Sequence, residues 1–152
     1  MRCVLGDFDF LVGSWKVANR RLKQRLAGSE EWEEFTAESV AWSLLDGSAN
    51  IDQFTFPDGT SALTLRLYQP DRKQWSLSWA TSTEGRLFPP VIGSFSDGVG
   101  LFYGDDVHEG TPVRVRYIWS DITPTSARWE QAFSVDQEQT WEINWIMELE
   151  RS

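Results

Sequence analysis

The chain has one cysteine, Cys3, and one histidine, His108, and these scarcities remove a good deal of chemistry at once. A lone cysteine forms no intrachain disulfide and supplies no thiolate metal site. His108 falls in an expected hairpin turn, without the partners of a catalytic triad and without the apolar walls an axial haem ligand needs. Basic residues are also few: 14 Lys and Arg stand against 23 Asp and Glu, for a net charge of −9. Phosphate backbones require clustered cations, so nucleic acid is not an expected partner. The only basic run, Arg20-Arg21-Leu22-Lys23-Gln24-Arg25, precedes the acidic Glu30-Glu31-Trp32-Glu33-Glu34, which reads as two paired strands of complementary charge.

No apolar run approaches the roughly 18 residues of a membrane helix, so no membrane association is expected. The opening Met1-Arg2-Cys3-Val4-Leu5-Gly6-Asp7 reaches an acid before a signal-peptide core could form, and a cytoplasmic setting is the expectation. Nothing resembling a linker divides the chain, so residues 1–152 are expected to form one domain. A phosphate-binding glycine loop is missing, since Gly93-Ser94-Phe95-Ser96-Asp97-Gly98 lacks the lysine and the following helix. Tyr103-Gly104-Asp105-Asp106 matches a polymerase tetrapeptide by coincidence. Asp105, Asp106, His108 and Glu109 cluster in sequence, but such loops bind cations only when further ligands converge, so they read as a solvated turn. No metal and no cofactor are therefore expected.

What the chain does have is aromatic bulk: nine tryptophans and nine phenylalanines. Each buries a large area, so they imply a thick core, a stacking pocket or a sticky face. Alternation of period two runs from Trp15 onward, with turn residues at the spacing of all-β sandwiches and barrels. Strands are predicted near 14–26, 31–44, 49–56, 62–69, 74–81, 91–95, 100–106, 113–120, 127–135 and 140–150. Asp7-Phe8-Asp9-Phe10-Leu11-Val12 suits one short helical turn capped by Asp7. An even march of strands without long crossovers favours an all-β antiparallel up-and-down barrel of about ten strands, closure removing the exposed edges. A sandwich has the same periodicity.

Register extends the reading. With Ala27–Glu30 as a four-residue loop, Leu26 meets Glu31, Trp15 meets Trp42, Asn19 meets Glu38, and Arg21 meets Thr36, all on one face. That face, with its two tryptophans, is expected inside, which places Asn19, Arg21 and Glu38 as a polar rim above a Trp15/Trp42 floor. Taking 121–125 as a loop sets Trp119 against Ala127, Tyr117 against Trp129, and an outward Arg116 against Glu130. Trp141, Ile143, Trp145, Met147 and Leu149 share the inward side of the last strand, with a bulge expected near its start because the simple register would match Phe133 with Glu142.

The expected ligand site is thus Trp15, Asn19, Arg21, Glu38, Trp42, Tyr117, Trp129 and Trp145, suited to a small apolar or aromatic ligand. Two alternatives stand beside it. One is a cofactor-free lyase or isomerase using Arg21 and Glu38 as an acid–base pair. The other is a homodimeric assembly module with Leu22 and Phe35 outward.

The segment Asp7-Phe8-Asp9-Phe10-Leu11-Val12-Gly13-Ser14-Trp15 resembles the Gly-x-Trp signature of lipocalin-like (calycin) barrels, whose Trp seals the barrel floor. With Leu65–Tyr68, Trp75, Trp79, Pro89–Gly93, Phe102–Asp106 and Trp119–Phe133, the chain is similar to a bacterial lipocalin-like family near the domain-of-unknown-function group 1579. The resemblance implies a barrel with a central cavity and no particular reaction. The haem-binding nitrobindins share a Gly-x-Trp start, but this chain lacks a histidine in its last strands. Phenolic acid decarboxylases, calycin-like enzymes with Tyr, Arg and Glu in the barrel, offer an analogy without matching motifs.

Overall fold

Alternation such as that of Trp15, Val17 and Asn19 turns every second side chain to one face, and all three are buried while Lys16, Ala18 and Arg20 are exposed. In the computed structural model, which describes residues 6–152, the strands are β1 (Gly13–Leu22), β2 (Trp32–Leu44), β3 (Ala49–Thr55), β4 (Ser61–Gln69), β5 (Gln74–Thr81), β6 (Val91–Ser96), β7 (Val99–His108), β8 (Thr111–Ser120), β9 (Ser126–Ser134) and β10 (Glu142–Arg151). Each pairs antiparallel with its sequence neighbours, and β1 pairs with β10 to close the barrel. The expected up-and-down barrel is the architecture found. Cys3 lies outside the described residues. Among the described residues no helix is long and apolar enough to cross a membrane.

One end is plugged from within. A 3₁₀ turn, Asp9–Leu11, enters the barrel ahead of β1. Asp7 does not cap it; the cap position falls on Phe8, and the Trp75 indole donates to Asp7 instead at 3.2 Å. Phe8 packs edge-on against Trp75 and Phe95, with ring centres 5.0 and 5.1 Å apart. Trp15 closes this floor, its indole N–H donating to the Leu11 carbonyl at 2.8 Å.

The first hairpin departs from the expected register. Residues 23–31 all belong to the connection, so Leu22 meets Trp32 and Trp15 meets Ser39, not Trp42. The shift is odd, and an odd shift turns every side chain of a strand to the other face. Ser39 and Ala41 therefore point inward, while Glu38 faces outward opposite Lys16 and Trp42 is 48% exposed. Leu22 is buried and Phe35 packs on Phe56, so neither forms the outer apolar face expected of them.

At β8–β9 the shift is even, so faces survive. Trp119 opposes Trp129, and Tyr117 opposes Gln131. The expected Arg116–Glu130 pair is not made: Ile118 opposes Glu130, and Arg116 lies 4.4 Å over the Trp141 ring. Phe133 does meet Glu142, and a bulge between Ile143 and Trp145 then restores Trp145, Met147 and Leu149 to the interior. The bulge leaves Ile143 exposed and Asn144 buried, so Ile143 is not inward as expected.

In β6 and β7 the backbones pass unusually close. A Cβ on Gly93 would lie 1.8 Å from the Leu101 carbonyl oxygen, and one on Gly104 would lie 2.3 Å from that of Pro90.

Candidate functional site: the barrel cavity

Above the floor the barrel holds a cavity of about 180 Å³. The sector β2–β4 inverts the usual alternation. Among its inward positions Ser39, Asn50, Asp52, Thr64 and Arg66 are polar and buried, interleaved with Ala37, Ala41, Phe54 and Ala62. Its outward positions include Val40, Trp42, Leu44, Ile51, Leu63, Leu65 and Leu67, exposed or half-buried, beside the polar Glu38, Gln53 and Thr55.

At the bottom of the cavity Arg66, 3% exposed, bonds Asp52 Oδ2 at 2.7 Å and Asn50 Oδ1 at 2.8 Å. Such burial is tolerable because the charge is paired and both terminal nitrogens are hydrogen-bonded. Asp52 Oδ1 in turn accepts from the Thr64 amide at 3.1 Å. The Arg66 guanidinium also sits 5.2 Å from the Phe8 ring centre and 5.9 Å from that of Trp119. Two buried donors here, Arg66 Nε and Trp119 Nε1, have no hydrogen-bond partner among the described residues.

Higher up, Tyr117, Trp129, Trp145 and Trp79 form the walls. Trp145 is the hub, packing edge-on against Trp79 at 5.9 Å and Trp129 at 5.7 Å. Its indole N–H donates to Asn19 Oδ1 at 2.9 Å, and Asn19 Nδ2 donates to the Val17 carbonyl at 3.1 Å. Burial pushes the Tyr117 hydroxyl up to about 12, so it stays protonated as a donor at neutral pH.

The mouth carries charge. Arg21 pairs with Glu33 at 2.9 Å, not with Glu38, and stands 4.8 Å from the Trp145 ring centre. Arg25, from the β1–β2 connection, reaches over Phe133 and Trp145 at 5.6 and 5.8 Å. Burial, and secondarily the nearby Arg21, holds the Arg25 guanidinium below its ordinary value. On the far side Asp106, Val107 and His108 at the end of β7 complete the rim. There the wall is interrupted, because β5 pairs with β6 only from Trp75 to Leu77. Phe88 and Pro89 of the 82–90 connection fill the breach, and the Phe88 amide is held by the Trp79 carbonyl at 2.7 Å.

Of the residues expected at the site, the structure brings Tyr117, Trp129 and Trp145 to the cavity wall. Trp15 lies beneath as floor, Asn19 stands behind Trp145 as its support, and Arg21 sits at the rim. Glu38 and Trp42 point outward, so an Arg21–Glu38 acid–base pair does not exist and the lyase or isomerase built on it has no site. Among the described residues no group of three His, Cys, Asp or Glu side chains could hold a metal ion. Asp105 bonds Arg114 at 3.2 Å instead.

Sequence reasoning missed Arg25, Asp52, Arg66 and Gln131. The leucines of Leu63-Thr64-Leu65-Arg66-Leu67 draw a period-two reading to the wrong face. The usable signal was the matching polar alternation of Asn50 and Asp52 in the adjacent strand.

No family model matches the chain, and no curated protein matches it. Solved structures do. The S-type phycobiliprotein lyase CPES from Guillardia theta matches with a TM-score of 0.59 at 11% identity, over 95% of this chain and 90% of that one. Rv2717c from M. tuberculosis matches with a TM-score of 0.60 at 15% identity, over 94% of this chain and 93% of that one. At such identities the likeness is one of fold, and the fold of this chain is a lipocalin-like ten-stranded barrel.

Proposed function

We propose that the barrel binds one small aromatic or apolar molecule in its central cavity, and that the whole chain works as one unit in doing so. The cavity itself carries the reading: about 180 Å³ walled by Trp79, Trp129, Trp145 and Tyr117 above a polar bottom. A buried cavity of about 150 Å³ accommodates benzene, so the expected occupant is one aromatic ring with a short substituent. Aromatic walls with few polar groups are the usual make-up of such sites. Kinship with the lipocalin-like group named above would fit this reading. The phycobiliprotein lyase is similar in fold alone, and no lyase step is carried over from it. Quenching of intrinsic tryptophan fluorescence by single-ring aromatic compounds tests the proposal. Saturable quenching supports it, and a barrel indifferent to all of them refutes it.

The inverted β2–β4 sector favours a second reading, self-association into a homodimer. Val40, Trp42, Leu44, Ile51, Leu63, Leu65 and Leu67 form an outward apolar band on a chain of net charge −9. Two acidic copies repel except where neither carries charge, and an apolar band of this kind commonly marks an interface. Analytical ultracentrifugation of wild type and Trp42→Asp tests it: a dimer converted to monomer is the expected result, and a monomeric wild type contradicts it.

A further inference from the structure

We propose that the occupant of the cavity is an acid, an aromatic monoanion whose carboxylate is received at the mouth by Arg25. The inference rests on the cavity reading and names the chemical class that the cavity selects.

Two arginines line the cavity, and they differ in how their charge is met. Arg66 at the bottom is neutralised by Asp52 at 2.7 Å, so the partnerless Arg66 Nε and Trp119 Nε1 call for a neutral oxygen acceptor. Arg25 makes no ion pair and no hydrogen bond among the described residues. The carboxylates around it are engaged elsewhere: Glu33 holds Arg21 at 2.9 Å, and Glu142 Oε1 accepts from the Leu26 amide at 2.8 Å. Across the mouth Asp106 Oδ1 accepts from the Val107 amide at 2.7 Å, while His108 shares the Phe133 ring with Arg25.

The placement is built by the chain. A tight hairpin would have kept Arg25 within β1. The long connection 23–31 folds it back so that the guanidinium itself lies over Phe133 and Trp145, while its N–H donors make no hydrogen bond among the described residues and stand open to a ligand. A guanidinium in that setting suits a planar carboxylate, which it can bind through two parallel hydrogen bonds. Partial burial strengthens such a contact relative to one in open water, and burial also weakens the cation while it stays unpaired.

The test is isothermal titration calorimetry of the full chain with 3-phenylpropanoate and with 3-phenylpropanamide, its uncharged counterpart of the same shape. Wild type should bind the acid at least about tenfold more tightly than the amide, the factor expected of a charge-assisted hydrogen bond. Arg25→Met should lose that preference, weakening the acid far more than the amide, Arg25→Lys should keep part of it, and Arg20→Met, altered on the outer face, should keep all of it. A wild type that binds acid and amide equally overturns the inference but leaves the cavity reading standing. So does an Arg25→Met variant that still prefers the acid. A wild type that binds neither overturns the inference, and the fluorescence titration with other single-ring aromatics then decides the cavity reading separately. The wild-type comparison decides the matter even if the Arg25 variants fold poorly.

Discussion

Arg151 holds its guanidinium 4.3 Å from the centre of the Trp15 ring and donates to the carbonyl oxygens of Val12 at 2.6 Å, Phe10 at 2.7 Å and Pro124 at 3.0 Å. One side chain near the chain's end therefore ties the floor-plugging turn to β1 and to the β8–β9 loop. Charged hydrogen bonds and a cation over an indole together are worth on the order of 2 kcal/mol at an exposed site. Arg151→Met should lower stability by about that amount in urea denaturation, with Arg151→Lys between it and wild type, since an ammonium cannot address three carbonyls at once.

Breaking the pair at the cavity bottom should cost more. Asp52→Ala leaves the Arg66 charge buried without its counter-ion, a change that costs about 3–5 kcal/mol in comparable sites. The double variant Asp52→Leu/Arg66→Met removes both charges and should recover most of that loss, because a matched apolar pair is often as stable as the ion pair it replaces. Denaturant midpoints of the two variants measure the difference directly.

At the β6–β7 crossing a single methyl is too much. Gly93→Ala would set its Cβ against the Leu101 carbonyl, which is backbone and cannot rotate away. Loss of about 4 kcal/mol or more is expected. Gly98→Ala, at a turn where nothing lies within 4 Å of the new Cβ, should be less harmful despite the positive φ of 78°. Thermal unfolding of the two variants ranks them.

Tyr117 predicts an alkaline signature. Its hydroxyl is pushed from 10.0 up to about 12 by burial, so the folded state keeps a proton that the unfolded chain releases earlier. Stability from this group is complete below pH about 10 and is lost as pH rises toward about 12. Tyr117→Phe should flatten the fall in stability across that window, measured by urea unfolding at stepped pH.

Much of this barrel was legible in the chain, and the places where it was not have physical causes. All ten strands follow from alternation and turn residues, because burial of every second side chain writes itself into the sequence. The first hairpin misled because Arg20–Leu26 continues a strand-like rhythm beyond the point where pairing ends, and an odd register error exchanges inside and outside. Hence Tyr117, Trp129 and Trp145 lie on the inner face as expected, while Glu38 and Trp42 do not. Arg66 and Asp52 hid for another reason. A strand that turns leucines outward and a guanidinium inward breaks the rule by which faces are assigned, and only its neighbours across the sheet reveal it.

The cavity itself can be closed by design. Val115 is buried on the cavity wall, and Val115→Phe would fill part of the 180 Å³ with a ring of the protein's own. Calorimetric titration of this variant with 3-phenylpropanoate, beside a melting curve showing that it folds, tests the account most directly. Binding weakened by more than about tenfold in a folded barrel is the predicted result. Unchanged affinity would contradict the account, because the ligand would then be bound somewhere other than the cavity.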